Sequence, residues 1–236
     1  MSSRFPAQPS PVSGAQARAA QAQAGAVAAD NPVLRNTYRL LSMTLLFSAG
    51  VAATSAALGL PHPGLLLTLG GFFGLLMLTS ALRNSVWGLA AVFALTGFMG
   101  YTLGPVLNAY LSLANGAALI ATAAGATGIA FFGLSFYARS AAAPDMSRYG
   151  MFLFVGVLTA FGLGVAAVVF SLSMLALAVS GLAALLMCGL IMYETQNIVR
   201  GGETNYIMAT VTLYVAVYNL FTSLLHLLGF FGGEEG

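Results

Sequence analysis

Tyr206-Ile207-Met208-Ala209-Thr210-Val211-Thr212-Leu213-Tyr214-Val215-Ala216-Val217-Tyr218-Asn219-Leu220-Phe221-Thr222-Ser223-Leu224-Leu225-His226 is long and apolar enough to cross a bilayer as a helix. A crossing needs roughly 20 apolar residues for about 30 Å of hydrocarbon. At about 100° per residue, Thr212, Ala216, Asn219, Ser223 and His226 fall in one stripe. Tyr214 and Tyr218 fall nearly opposite, with Thr210 and Thr222. A span that is polar on both sides presents neither side to lipid, so it lies centrally with other helices around it. Such stripes either bond neighbouring helices or line a water path, and both uses stay open at this point.

Outward from this segment, the chain holds six more apolar stretches. The seven spans read as about 40–60, 65–82, 86–104, 113–137, 149–170, 173–193 and 206–231. A break near Ser171 is required because residues 149–193 are almost continuously apolar, roughly twice the length of one crossing. The chain is 59% hydrophobic and 6% charged, with mean hydropathy +0.90. A soluble domain carries about 25% charged residues, so this surface faces lipid. Strands cross in about 9–11 residues; spans of this length are helices, whose backbone polar groups are paired internally. The expected class is an all-α integral membrane protein with seven transmembrane helices, the last surrounded by the other six.

The charges report topology independently of the spans. All eight basic residues are Arg. Arg4, Arg18, Arg35 and Arg39 precede the first span, and Arg83, Arg139, Arg148 and Arg200 fall in every second connection after it. The alternate connections are uncharged, and the C-terminal tail carries Glu234 and Glu235. Short Arg-bearing loops stay cytoplasmic. Seven spans put every Arg on that side, with the N-terminus cytoplasmic and the C-terminus across the membrane.

Three segments follow: a tail over 1–30, a transmembrane domain over 31–231 and a short acidic tail over 232–236. The first is Ala, Gln, Ser, Pro and Gly, too poor in large apolar side chains to offset its ordering entropy, and is expected to be a disordered cytoplasmic tail. It lacks the apolar core of a signal peptide, which makes the first span an uncleaved signal-anchor. Asn31-Pro32 reads as a helix start. Arg35 and Arg39, four apart on one face, either anchor to lipid phosphates or dock a cytoplasmic partner. Gly97, Gly100 and Gly104, then Gly125, Gly128 and Gly133, then Gly156, Ala160 and Gly164 are expected to let helices approach closely.

Few side chains can carry chemistry. Cys188 has no cysteine partner. No His, Cys, Asp and Glu residues stand at metal-ligand spacing, and the few acids exclude a Ser-His-Asp set. An enzyme is disfavoured, no cofactor is expected, and singly spread Arg disfavour nucleic acid. Glu194, at the end of the sixth span, is either a functional acid at membrane depth or a helix-end carboxylate paired with an Arg of the same side, such as Arg83, Arg139 or Arg148. His226 is expected to make an interhelical hydrogen bond, and His62 to be solvated.

Gly97-Phe98-Met99-Gly100-Tyr101-Thr102-Leu103-Gly104-Pro105 resembles the third-span signature of the Bax inhibitor family. Met192-Tyr193-Glu194-Thr195-Gln196, Gly201-Gly202-Glu203-Thr204-Asn205-Tyr206 and Leu213-Tyr214-Val215-Ala216-Val217-Tyr218-Asn219-Leu220-Phe221 resemble its last two helices. The likeness covers roughly 31–231 and is strongest to the bacterial, YccA-like branch. It implies a cytoplasmic N-terminus, a bacterial inner-membrane location with a periplasmic C-terminus, and a non-enzymatic protein. Such a protein would bind a membrane-embedded AAA-type protease of the FtsH kind, inhibiting it or competing for it.

The family also implies an alternative function, a pH-sensitive calcium or cation leak. That leak uses one acid ending the sixth helix and one in the seventh, near an Arg of the second helix. By position the first is Glu194 and the Arg is Arg83. The second acid belongs in the frame that holds Tyr214 and Asn219, and there this chain has Ala216. Two carboxylates can share a proton as a switch, and Ca²⁺ prefers six to eight oxygens; a methyl group serves neither purpose. The departure favours the protease modulator.

Overall fold

Asn31 caps the first helix of the described residues. Its side-chain oxygen accepts from the Val33 and Leu34 N–H groups at 3.0 and 3.1 Å, and Pro32 takes the first helical position, where a missing N–H is harmless. The computed structural model describes residues 31–140 and 142–232. The expected tail over 1–30 and the acidic pair Glu234-Glu235 lie outside the described residues.

Seven helices follow: α1 Pro32–Ala57, α2 Leu65–Leu82, α3 Trp87–Leu111, α4 Gly116–Ala138, α5 Gly150–Val169, α6 Ser173–Val199 and α7 Tyr206–Gly232. A 3-10 turn at Ser147–Tyr149 leads into α5. All seven are long and apolar enough to cross a membrane, and the described residues contain no strand. The chain is an all-helical, multi-pass membrane protein.

From Asn205 to Gly229 not one residue is exposed, so α7 lies at the centre. Its direct neighbours are α1, α3, α4 and α6. The wall is completed by α2, packed mainly on α3, and α5, packed mainly on α6. These two carry the fewest buried side chains; in α2 only Thr79 is buried. The outer surface is apolar, as hydrocarbon requires, with Leu66, Phe136 and Met151 among its exposed side chains.

The Arg-bearing connections converge at one end, here the arginine end. Asn31 Nδ2 reaches Ile198 O at 3.1 Å, Arg200 pairs with Asp145, and Asn205 bonds the Arg83-Asn84 turn. At the opposite end Asn115 Nδ2 donates to Gly232 O. The parity inferred from charge and span count therefore holds in three dimensions.

Three boundaries differ from the sequence reading, the first being the start of α1 at Pro32 instead of about residue 40. Ser171 at φ 53° breaks the chain between α5 and α6, at the expected place. But α6 continues through Val199, not 193, because Glu194, Thr195 and Gln196 are buried and keep the helix docked. And α3 runs through Pro105 to Leu111 instead of stopping at Gly104. Proline leaves the carbonyl four residues earlier, Tyr101 O, without its helical donor. Ser55 Oγ of α1 supplies one at 3.1 Å, and a neighbouring helix satisfying freed backbone is what makes a membrane proline tolerable.

Glycine explains how α1 comes so close. A Cβ at Gly100 would stand 2.5 Å from Ser48 O, and one at Gly104 would collide with the Ser55 side chain. Gly156 likewise receives Leu186 of α6. The expectation fails for α4. Gly125, Gly128 and Gly133 have nothing within 4 Å of an added Cβ, because α4 turns those positions to open space and makes its extended contacts with α7 and α6 elsewhere.

Two outcomes follow for equilibrium unfolding in detergent micelles. Ser55→Ala should cost about 1–3 kcal/mol by orphaning Tyr101 O, and about 1 kcal/mol less in a Pro105→Ala background, where the helix regains its own donor; equal costs in both backgrounds would refute the pairing. Gly100→Ala should destabilise by about 1–3 kcal/mol through forced displacement, whereas Gly125→Ala should stabilise by up to about 1 kcal/mol.

Candidate functional site

The polar groups of α7 are distributed to partners on opposite sides. Ser48 Oγ of α1 and Tyr214 OH share a hydrogen bond of 2.6 Å, and Tyr214 OH donates to Thr96 O of α3 at 3.3 Å. Tyr218 OH stands 3.5 Å from Thr102 Oγ1, whose own proton goes to Met99 O. Thr210 Oγ1 reaches Thr37 O of α1 at 3.3 Å. On the other side Ser180 Oγ of α6 meets His226 Nδ1 at 2.7 Å, so His226 makes the expected interhelical bond. Asn219 turns its amide back to Val215 O, four residues earlier in its own helix. The Tyr214/Tyr218 face thus attaches α7 to α1 and α3, whereas on the opposite stripe His226 makes the interhelical bond.

The second cluster is at the arginine end, where α6 gives way to α7. Glu194 is 5% exposed inside α6, more than a turn before its end, not at a solvated helix terminus. Asn197 and Glu203 are its polar neighbours. Among the described residues the ion pairing is Arg200 with Asp145; no pair joins Glu194 to Arg83, Arg139 or Arg148. Arg83 is exposed, and its backbone carbonyl is what the cluster uses. An acid buried without a cation depends on hydrogen bonds to offset its desolvation.

Asn205 organises this junction. Its Oδ1 accepts from the Ile207 and Met208 N–H groups at 3.0 and 3.1 Å, capping α7. Its Nδ2 donates to Arg83 O and Asn84 Oδ1 at 3.0 and 2.9 Å, and its N–H donates to Glu203 Oε1 at 2.7 Å. Gln196 does the same for the α4–α5 connection: Met146 N–H donates to its Oε1 at 3.0 Å, and its Nε2 donates to Pro144 O at 2.9 Å. The Ser147 N–H donating to Asp145, with the Ser147 hydroxyl and Arg200 beside it, holds the Asp145 carboxyl down from 3.8 to about 2. Its lowered value means that this tie persists above pH 4 and is lost as pH falls toward 2. The sequence reading missed Asn205 and Gln196 as structural pivots. An Asn just before a helix is a cap signal, but nothing local marks Gln196.

Ala216 is fully buried in the main apolar cluster with Leu213, Leu220 and Ile191. It lies about 15 Å along α7 from the arginine end, and Glu194 about 8 Å along α6. The helices pack on each other, but the depths differ by about 7 Å, little more than one helical turn, and no carboxylate stands at 216 to couple with Glu194. Among the described residues no group of three His, Cys, Asp or Glu could hold a metal ion.

Comparison with known proteins matches residues 30–233 to the family model described as inhibitor of apoptosis-promoting Bax1. The chain is 50% identical over 198 residues to the Escherichia coli K12 protein named modulator of FtsH protease YccA, covering 84% of this chain and 90% of that one. It is 49% identical over 203 residues to an uncharacterized Pseudomonas aeruginosa protein, covering 86% and 91%. A Vibrio cholerae protein described as an uncharacterized membrane protein is 41% identical over 206 residues, covering 87% and 92%.

The burial of position 216 has a measurable consequence. Ala216→Asp should lower stability in detergent by about 2.5–3.5 kcal/mol, the cost of an acid at mid-membrane depth, whereas Ala216→Ser should cost less. An Ala216→Asp protein as stable as the parent would mean that a polar environment surrounds this position.

Proposed function

Since this chain belongs to the Bax inhibitor family, we propose that it is a non-enzymatic modulator of an ATP-dependent membrane protease of the FtsH type, resident in the bacterial inner membrane. The observation that carries the reading is the 50% identity to a protein bearing that name, maintained over 84% of this chain. The site geometry supports it against an ion leak. The acid expected in the seventh helix is replaced by Ala216, and the packing around that position is apolar. Tyr214, Tyr218, Thr210 and His226 of α7 are used between helices, and Glu194 has no second carboxylate at position 216 to couple with.

In this reading the arginine end faces the cytoplasm and the C-terminus faces the periplasm, following the one-sided Arg distribution. Residues 1–30 form a cytoplasmic tail that a protease working from that side can engage, and Asn31 caps α1 with its own side chain. The transmembrane domain over 31–231 then acts as the resistant body behind the handle, holding the protease without being readily extracted.

Overproduction should slow turnover of the protease's other membrane substrates and co-purify the protease. Deleting residues 2–30 should weaken both effects while leaving the detergent melting temperature nearly unchanged, and Glu194→Gln should leave them intact. If the overproduced protein changes no turnover, and liposomes show a pH-dependent calcium flux that Glu194→Gln abolishes, the leak replaces the modulator.

A further inference from the structure

Both α1 and α4 flank α7, yet they share no extended packing with each other. Between them runs a groove of about 530 Å³ with α7 as its floor. Leu41, Leu45, Phe131 and Val217 make most of its wall apolar, and Leu46 and Phe132, 76% and 72% exposed, stand at its lateral mouth. Gly128 lines it without filling it, since nothing lies within 4 Å of an added Cβ there. On α1 the lining runs from Tyr38 to Ala52, about 21 Å at the rise of a helix.

At the arginine end this wall changes character. Arg139 lies there with no ion pair among the described residues. Its Nε donates to Ser135 O at 2.9 Å and its guanidinium stacks over the Tyr38 ring at 5.3 Å, which fixes the side chain and leaves its terminal nitrogens available. Ser135, 1% exposed, and Tyr38 also line the groove, and both hydroxyls are buried without a hydrogen-bond partner. Buried polar atoms in a native structure have partners as a rule. Three donors at the head of an apolar slot are complementary to an anionic amphiphile.

We propose that the α1/α4 groove is a lipid site that takes one acyl chain of an anionic phospholipid. The phosphate sits on Arg139, and the glycerol ester oxygens, about one helical turn deeper, accept from Ser135 and Tyr38. The second chain stays in the bilayer through the lateral mouth between Leu46 and Phe132. Size decides against a partner's helix. A volume of 530 Å³ along about 21 Å makes a slot narrower than a helix 10–12 Å across, and its largely apolar lining suits a hydrocarbon chain. The floor carries Tyr214 and Tyr218, so the occupant touches the same residues that tie α7 to α1 and α3.

Native mass spectrometry of the full-length protein in mild detergent, with phosphatidylglycerol or phosphatidylcholine added, tests this. The parent should retain one phosphatidylglycerol in preference to phosphatidylcholine and melt at a higher temperature with it. Arg139→Gln should weaken phosphatidylglycerol by about tenfold or more and erase the headgroup preference. Gly128→Phe, which fills the slot, should abolish retention, while Gly125→Phe, equally unobstructed on the same helix but outside the lining, should bind like the parent. The proposal is overturned if Gly128→Phe retains the lipid, if both glycine variants lose it alike, if no headgroup preference exists, or if a second copy or another protein occupies the groove. Should Gly128→Phe not fold, unchanged binding by Arg139→Gln overturns it alone.

Discussion

A polar group inside hydrocarbon must find its partner within the protein, and in this chain that requirement places α7 at the centre. Tyr214, Tyr218, Thr210 and His226 point toward different neighbours, so no lipid-facing position on the bundle surface could serve them all. The remaining helices arrange themselves by how much of this demand they meet. Four supply partners or apolar walls directly, and α2 and α5, with little polarity to place, lie outside them.

The same requirement accounts for the close approach of α1 to α3. Pro105 frees a carbonyl, Ser55 answers it, and Gly104 makes room for Ser55 to arrive. Each residue is unremarkable alone; together they hold α1 against α3 with backbone pairing complete. The arginine end works in a related way, with Asn31, Gln196 and Asn205 using side-chain amides to join connections that are far apart in sequence. Amides suit this task because each offers a donor and an acceptor without a charge to desolvate.

Where tight packing is absent, the absence is local. Gly125, Gly128 and Gly133 of α4 meet nothing, α1 and α4 leave a slot between them, and the unpartnered hydroxyls of Ser135 and Tyr38 lie along that slot with Arg139. A wall built only of small and apolar residues would be a packing defect. A wall that ends in an oriented guanidinium and two waiting hydroxyls has a chemical direction.

Composition, span length and the one-sided Arg pattern determined the membrane class, the seven helices and which connections share an end, because those properties depend on the solvent and on counting. The opposed polar faces of α7 determined its central place, since helical periodicity is local. The tertiary structure alone decided which neighbour answers each polar group. It also decided that α3 passes through Pro105, that Glu194 is buried rather than at a solvated terminus, and that Gly100 and Gly104 pack in α3 whereas Gly125, Gly128 and Gly133 face open space in α4. Those outcomes depend on residues such as Ser55 and Tyr101, or Gln196 and Pro144, that meet only after the helices have assembled.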